Sequence, residues 1–170
     1  MSYNDINDNV IITFSDALAN NNNLKELMIS YNYEDVTPTG WSAFSVVLRN
    51  PNSALEKLDL SYTDINDNVM ITFSDALTNN STLRELDLSE NRDVTPTGWS
   101  ALSVVLRNPN SALEKLDLSN NSITDEVVAA LTNAIANNSM LRELNLSENR
   151  DVTPTGWSAF SVVLRNPNSA

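Results

Sequence analysis

Residues 83–91 read Leu-Arg-Glu-Leu-Asp-Leu-Ser-Glu-Asn, and four close copies of this stretch occur elsewhere in the chain. The copies begin at Leu24, Leu55, Leu113 and Leu141. Successive starts therefore lie 31, 28, 30 and 28 residues apart. Leu86 and Leu88 are two residues apart, which places both side chains on one face of a strand. Repetition at this interval predicts a solenoid, in which each unit buries its apolar side against its neighbours.

The segments between these copies have the apolar spacing of helices. Val69, Phe73 and Ala76 follow one another at intervals of four and three residues, which forms one apolar stripe along a helix. Two kinds of unit alternate along the chain. Leu55 and Leu113, for example, begin units of one kind and are 58 residues apart.

One kind of helical segment carries a tryptophan directly after a glycine. These tryptophans are Trp41, Trp99 and Trp157. Their position at a helix start, on the same face as later apolar residues, predicts that they pack in the core between helices. Gly98 is predicted to let two helices approach closely.

Residues that start and stop helices flank these segments. Thr95 is placed to cap a helix that begins with Pro96, and Pro109 follows its end. Thr124 is predicted to cap another helix, whose first residue, Asp125, suits the positive end of the helix dipole. These signals predict an α/β fold of about six helices and five strands, arranged as a right-handed β-α solenoid with a concave parallel sheet and convex helices.

The pattern LxxLxLxxN of residues 83–91, with alternating units of 28 and 30 residues, resembles the leucine-rich repeats of the ribonuclease-inhibitor-like subfamily. That subfamily includes ribonuclease inhibitor and the sensor domains of NLR immune receptors. The resemblance covers essentially the whole chain. It implies a horseshoe-shaped arc, with one domain over residues 1–170 and about five to six repeats of 28–31 residues.

One row of residues departs from that subfamily. Asparagine stands where vertebrate members often carry cysteine, at Asn4, Asn32, Asn91, Asn121 and Asn149, with Thr63 as the exception. The resemblance implies that these side chains bond the backbone of neighbouring loops. Their predicted role is therefore structural.

The chain is acidic, with a formal charge of −12 and a pI of about 4.1. Such a charge repels phosphate, so binding to nucleic acid or to an anionic membrane is not expected. No signal segment is recognisable, and no apolar run approaches membrane-spanning length. Because the chain also lacks cysteine for disulfides, it is predicted to be cytoplasmic.

Catalysis is not expected of this sequence. It has no histidine and no cysteine, which excludes Ser-His-Asp and Cys-His arrangements. Its three glycines are too scattered for a phosphate-binding loop. Residues 64–68 resemble a calcium loop, but Val69 stands where that loop needs glycine, so we interpret them as helix-capping residues. No cofactor and no metal are predicted.

The terminal units suggest a second interpretation. Residues 93–112 and 151–170 differ only at Leu102 and Phe160, which indicates recent duplication or deliberate idealisation. No capping repeat is recognisable, so the terminal units are expected to expose apolar side chains and to form homo-oligomers. The alternative function is therefore a structural or engineered self-assembling repeat protein without a natural ligand.

Charged residues alternate in sign from strand to strand on the predicted concave face. At the second position of each copy, Glu114 follows Arg84, and the order of signs is reversed at the third position. In a parallel sheet these residues are lateral neighbours, so opposite charges lie side by side. We interpret both rows as a ladder of ion pairs that sets the strand register.

A candidate site for a protein partner lies beside these rows. Aspartate occupies the fifth position in three successive copies, as Asp59, Asp87 and Asp117, and an acidic stripe attracts a basic partner. All four tyrosines lie near the first three strand-to-helix turns, close to Met28: Tyr3, Tyr31, Tyr33 and Tyr62. Clustered exposed Tyr and Met are typical interface anchors.

The predicted function is therefore a non-enzymatic protein-interaction scaffold with an acidic concave surface and a tyrosine-rich loop edge. Two alternatives stay open for this site. The aspartates could serve the structure alone, and the tyrosine rings could simply stack on one another along the solenoid.

Overall fold

The computed structural model describes Asn4, residues 6–32 and residues 36–164. Within these residues, six helices alternate with five strands. The helices are α1 (Asp8–Leu18), α2 (Pro38–Arg49), α3 (Asp67–Leu77), α4 (Pro96–Arg107), α5 (Asp125–Ile135) and α6 (Pro154–Val163). The strands are β1 (Glu26–Met28), β2 (Lys57–Asp59), β3 (Glu85–Asp87), β4 (Lys115–Asp117) and β5 (Glu143–Asn145). The predicted α/β repeat solenoid is confirmed.

The five strands form one parallel sheet whose order is the order of the chain. The register pairs Leu86 with Leu58 on one side and with Leu116 on the other, and all three side chains are buried. In β2, β3 and β4 the central leucine faces the helices, whereas the two flanking residues are more exposed. The open face of the sheet is therefore built from these flanking residues.

The helices bury the stripes that their sequence predicts. Val69, Phe73 and Ala76 are buried in α3, and Leu102 and Leu106 are buried in α4. These side chains belong to one continuous apolar cluster that runs through the units. Full burial of one such large side chain contributes about 1.5–3 kcal/mol. Because each unit supplies only a few of them, the stacking of units stabilises the fold.

The predicted helix starts are confirmed in position. Thr95 is the N-cap of α4, and its side chain accepts a hydrogen bond from the first turn. Thr124 is the N-cap of α5, although its side chain makes no capping hydrogen bond. Asn66 caps α3 by accepting hydrogen bonds from two backbone N–H groups. Residues 64–68 therefore contain the helix-capping chemistry expected of them.

Two of the three tryptophans are buried as predicted, and the third is not. Trp41 and Trp99 are buried, whereas Trp157 is 39% exposed. The prediction is wrong for Trp157 because no described helix packs against the outer side of α6. Trp157 therefore shows which side of α6 would face a neighbouring unit.

The first residue of α1, α3 and α5 is an aspartate that binds the start of the next helix. Oδ1 of Asp67 accepts hydrogen bonds from the backbone N–H of Thr95 at 2.8 Å and of Gly98 at 3.2 Å, and Oδ2 accepts from the Thr95 hydroxyl at 2.6 Å. The same bonds to threonine recur between Asp8 and Thr37 and between Asp125 and Thr153. The Thr153 hydroxyl, and after it the Thr153 backbone N–H, lowers the pKa of Asp125. These bonds therefore favour the charged carboxylate.

Gly98 allows α4 to come this close to α3, and its replacement should destabilise the fold. A Cβ atom at Gly98 would lie 2.6 Å from Cγ1 of Val94 and 2.7 Å from Oδ1 of Asp67, both closer than van der Waals contact. Gly98→Ala gains about 1 kcal/mol of helix propensity. Overpacking costs about 1–3 kcal/mol, and the displaced Asp67 carboxylate loses further hydrogen-bond energy. We expect a net loss of about 1 kcal/mol or more in urea unfolding.

Ser100→Ala is the matched control, because Ser100 is exposed in the same helix. This substitution should be neutral or slightly stabilising, since it changes helix propensity without a steric conflict. A Gly98→Ala variant as stable as the unmodified chain would show that the two helices have room to separate.

Candidate functional site

The open face of the sheet carries the predicted ladder of ion pairs. The distances between charged atoms are 2.8 Å for Lys25 and Glu56, 3.3 Å for Lys57 and Glu85, and 3.2 Å for Lys115 and Glu143. Arg84 and Glu114 form a further pair between neighbouring strands. The side chains are largely exposed, so each pair contributes about 0–1 kcal/mol. The ladder leaves the lysines on this face already paired with glutamates.

Three aspartates form a row beside the ladder. The register places Asp87 directly between Asp59 and Asp117. Oδ1 of Asp87 accepts hydrogen bonds from the backbone N–H of Ser89 at 2.9 Å and from its hydroxyl at 2.7 Å. Asp59 and Asp117 bond their own serines in the same way. One oxygen of each aspartate thus holds the turn after the strand, so the row has a structural role whatever else it does.

Asp87 is the central carboxylate of this row, and its surroundings disfavour its charge. Burial raises the pKa of Asp87, the bonds from Ser89 oppose that effect, and the charges of Asp117 and Asp59 raise the pKa further. At the end of the row, Asn145 takes the place of aspartate. Its amide bonds Ser147 as the carboxylates do, and it also donates to Oδ2 of Asp117 at 2.8 Å. An amide therefore fits this position without loss of the turn.

Asp87→Asn should stabilise the fold at neutral pH by up to about 1 kcal/mol, because it removes a charge that has like neighbours on both sides. A carboxyl whose pKa is raised by folding destabilises the native state fully above the folded-state pKa. That cost disappears as the pH falls through this pKa to below the ordinary value of 3.8, where both states are protonated. The gain, measured by urea unfolding, should therefore be largest at neutral pH and vanish in acid.

Asp75→Asn is the control for this experiment. It removes one negative charge from an exposed position on α3, away from the row. If it stabilises the chain as much as Asp87→Asn does, the effect arises from net charge and not from the row.

Two tyrosines lie at the strand-to-helix turns beside the aspartates. The rings of Tyr31 and Tyr62 stack with centroids 4.5 Å apart and an angle of 15° between their planes. Both are half-buried, so stacking and partial exposure occur together. A hydrogen bond from the Tyr62 hydroxyl to Glu90 is the main cause of a raised pKa of Tyr62. Met28 at the end of β1 is 43% exposed.

The other two tyrosines of the candidate site are not in the described part of the chain. Tyr3 and Tyr33 both lie outside it. Their place at this edge stays a prediction.

The turn position that holds Tyr31 and Tyr62 has a left-handed backbone. The φ angle is 58° at Tyr31 and 54° at Tyr62, and it is also positive at the equivalent Glu90, Asn120 and Glu148. Residues other than Gly, Asn and Asp are uncommon in this conformation, which costs them about 1–3 kcal/mol. Because five different units share it, the turn imposes the conformation on whichever side chain is present.

The residue after each left-handed position holds the turn in place. Nδ2 of the buried Asn91 donates to the carbonyl oxygens of Leu60 at 2.9 Å and Leu88 at 3.1 Å. Its Oδ1 accepts from the N–H of Ile65 at 3.0 Å, and its own N–H donates to Oδ1 of Asn121 at 2.7 Å. Asparagine side chains bond neighbouring turns in the same manner at Asn32, Asn121 and Asn149. The structural role that the resemblance implied is confirmed.

Asn91→Ala should destabilise the chain by about 3 kcal/mol. The substitution leaves buried backbone groups of Leu60, Leu88 and Ile65 without a partner, and each such loss costs about 1–3 kcal/mol. Urea unfolding measures the change. Asn79→Ala, at an exposed position after α3, should change the stability by no more than about 0.5 kcal/mol. A loss below about 1 kcal/mol for Asn91→Ala would mean that water replaces the amide.

The concave face is shallow. A depression at its centre has a volume of about 210 Å³ and is lined by residues that include Leu86, Asp87 and Lys115. Pockets that bury small molecules usually measure about 300–1,000 Å³. This surface therefore suits a macromolecule better than a small ligand. Within the described ranges, no group of three or more acidic residues is arranged to hold a metal ion.

Comparison with known families identifies the repeats. The family model described as "Leucine Rich repeat" matches residues 52–72, 79–103, 110–131 and 137–161, which together make up more than half of the chain. This chain belongs to the leucine-rich repeat family. Such repeats form protein-interaction scaffolds, and the chain shares that architecture.

Curated relatives place this leucine-rich repeat chain with the NLR type. NACHT, LRR and PYD domains-containing protein 4C of Mus musculus is 29% identical over 91% of the chain and 15% of its own length. NACHT, LRR and PYD domains-containing protein 13 of Homo sapiens is 34% identical over 65% of the chain and 10% of its own length. The chain therefore spans at most about 15% of the length of these two relatives.

A solved structure confirms the fold of this leucine-rich repeat chain. The Leiomodin-1 Actin-Binding Site 2 superposes with a TM-score of 0.74 over 89% of the chain and 86% of its own length, at 18% identity. At this identity the likeness concerns the fold alone. The longest described helices have 12 residues, and none of the described helices is long and apolar enough to cross a membrane.

Proposed function

We propose that this leucine-rich repeat chain is a non-enzymatic scaffold that binds a basic protein partner on its concave side. One observation carries the proposal: Asp59, Asp87 and Asp117 lie side by side on the open face of the sheet, next to the stacked rings of Tyr31 and Tyr62. We refer to these five residues as the acid–tyrosine edge. Met28 adds an exposed apolar side chain at one end of it.

The charge of the acid–tyrosine edge favours a basic partner. Lys57 and Lys115 lie within 3.3 Å of glutamate oxygens, so they are already paired and do not neutralise the aspartates. A cationic side chain over Asp87 would offset the burial and repulsion that raise its pKa. The net charge of −12 would also steer a basic protein toward the chain and raise the association rate.

The tyrosines would supply the contact area. A turn with positive φ favours Asn or Gly, and Asn120 occupies this position in a later unit. The turn therefore does not explain why Tyr31 and Tyr62 stand there. A half-buried tyrosine offers a rigid ring with a polar tip, and such rings are frequent anchors of protein interfaces.

The composition of this surface supports binding rather than catalysis. The chain contains no His or Cys, so the edge offers only carboxylates, hydroxyls and rings. Its aspartates recur with the repeat, whereas general acid–base catalysis needs a pair of groups in different environments. The Leiomodin-1 structure of the same fold is named for an actin-binding site, which supports a protein partner as the class of ligand. A cytoplasmic location stays a prediction.

Affinity capture with matched variants tests this proposal. Tyr31→Asn combined with Tyr62→Asn removes both rings but keeps a residue suited to positive φ, as Asn120 does naturally. Asp59→Asn combined with Asp87→Asn removes two charges but keeps the serine bonds, as Asn145 does. Each variant should reduce capture of the same lysate protein by about tenfold or more. The aspartate variant should also weaken the dependence of capture on salt.

Val46→Lys and Val104→Lys are the controls, because these valines are 52% and 53% exposed on α2 and α4. Neither should change the capture. A protein that is retained by both edge variants and lost with the helix variants would bind the opposite surface, and the proposal would then be wrong.

A further inference from the structure

The interface between α2 and α3 has an aromatic centre. Phe73 of α3 meets Trp41 of α2 edge-on at 5.9 Å between ring centroids and lies 6.1 Å from Phe44. Val69 and Ala76 flank Phe73 on α3, and both are buried. The α2 side of this interface is thus Trp–Phe, and the α3 side is Val–Phe–Ala.

The interface between α4 and α5 has the same plan with smaller residues. Leu102 stands at the position of Phe44, and Leu131 stands at the position of Phe73. Both leucines are fully buried. The two interfaces therefore pair like with like, because a phenylalanine faces a phenylalanine and a leucine faces a leucine.

The outer side of α6 repeats the α2 half of this interface. Phe160, and not leucine, follows Trp157, and their rings meet edge-on at 6.3 Å, as those of Trp41 and Phe44 do at 6.1 Å. Trp157 is 39% exposed where Trp41 is 1% exposed. Leu164 is 61% exposed, although the equivalent Leu48 is buried.

The outer side of α1 repeats the α3 half. Phe14 stands at the position of Phe73 and is only half-buried. Val10 is 38% exposed where Val69 is 2% exposed. Ala17 is exposed, although the equivalent Ala76 is fully buried. The chain thus presents both halves of one interface on its two outer helices, both in the phenylalanine version.

We infer that a second copy of this chain docks its α1 against α6, with Phe14 of one copy packed on Trp157 and Phe160 of the other. The contact is head-to-tail, so each added copy leaves another free α6 and the stack can grow. It uses the outer helices and not the acid–tyrosine edge, so it is separate from the proposed function.

The strand layer limits the strength of this contact. Inside the chain a strand connects each pair of helices, whereas the described residues supply no strand between β5 of one copy and β1 of the next. The helices alone form the junction. We therefore expect association only at high protein concentration, with dissociation constants between about 10 µM and 1 mM.

Sedimentation equilibrium of the full chain tests the inference. Over about 10 µM to 1 mM, the weight-average mass should rise from the monomer mass of 18.7 kDa and should pass twice that value without a plateau. Leu164→Lys should keep the chain monomeric, because it places a charge in the contact. Val104→Lys, which adds the same charge on α4, should associate like the unmodified chain.

Two conservative variants test the pairing of Phe14 with Phe160. Phe160→Leu and Phe14→Leu each introduce a residue that the equivalent helices α4 and α5 already tolerate, as Leu102 and Leu131. Each should weaken association about fivefold, because a phenylalanine then faces a smaller partner. The double variant should lose less than the product of the two effects, because the α4–α5 interface shows that two leucines fit together.

Four results would overturn the inference. They are a monomer over the whole concentration range, a plateau at the dimer mass, association of folded Leu164→Lys equal to that of Val104→Lys, and additive effects of the two phenylalanine variants. Circular dichroism establishes that each variant is folded. Tyr31→Asn combined with Tyr62→Asn should leave the mass unchanged, so failure of the stack and failure of partner binding are distinguishable.

Discussion

The fold depends on hydrogen bonds that pass from one unit to the next, because its strands have only three residues each. Buried asparagines supply these bonds at both ends of the strands. Beyond the row that contains Asn91, a second row follows the helices. Asn80 donates to the carbonyl oxygen of Leu48 at 2.8 Å, and its Oδ1 accepts from the N–H of Leu83 at 2.8 Å. An amide suits both rows because it donates and accepts at once, so one side chain can satisfy the backbone of two units.

Much of this architecture could be predicted because its signals are local. The spacing of Leu86 and Leu88 indicates a strand, and Thr95 with Pro96 marks a helix start within two residues. The bonds of Asp67 and Asn80 were missed because their partners lie 28 and 32 residues away, and only the stacking of units brings them together. A signal was nonetheless present, since Asp and Asn recur at those places in unit after unit. The exposure of Trp157 could not be read from its sequence, because that sequence matches the one around Trp99.

The candidate site divides in the same way. Strand alternation was enough to place Asp59, Asp87 and Asp117 in one row. Their bonds to the following serines and the effect of burial on Asp87 needed the geometry of the turn. For the tyrosines, the sequence left stacking and exposure as alternatives, whereas the structure shows both at once at Tyr31 and Tyr62. Ring contact across units depends on the rise between neighbouring strands, about 4.7–4.9 Å, which brings the same position of two units within stacking distance.

A repeat protein copies every residue that its architecture needs, so a residue shared by all units cannot be assigned to function by its position alone. The Asn91 row and the Asp67 type of helix contact belong to this shared set. Function is better sought where equivalent units differ while the backbone stays the same. Tyr31 and Glu90 adopt φ angles within a few degrees of each other, 58° and 60°, yet present a ring and a carboxylate. Leu102 and Phe160 likewise stand at one position of two nearly identical helices, and one is covered by α5 while the other lies on the outer helix. Because the fold tolerates either residue at each of these positions, the choice between them is free to follow the surface that each unit presents.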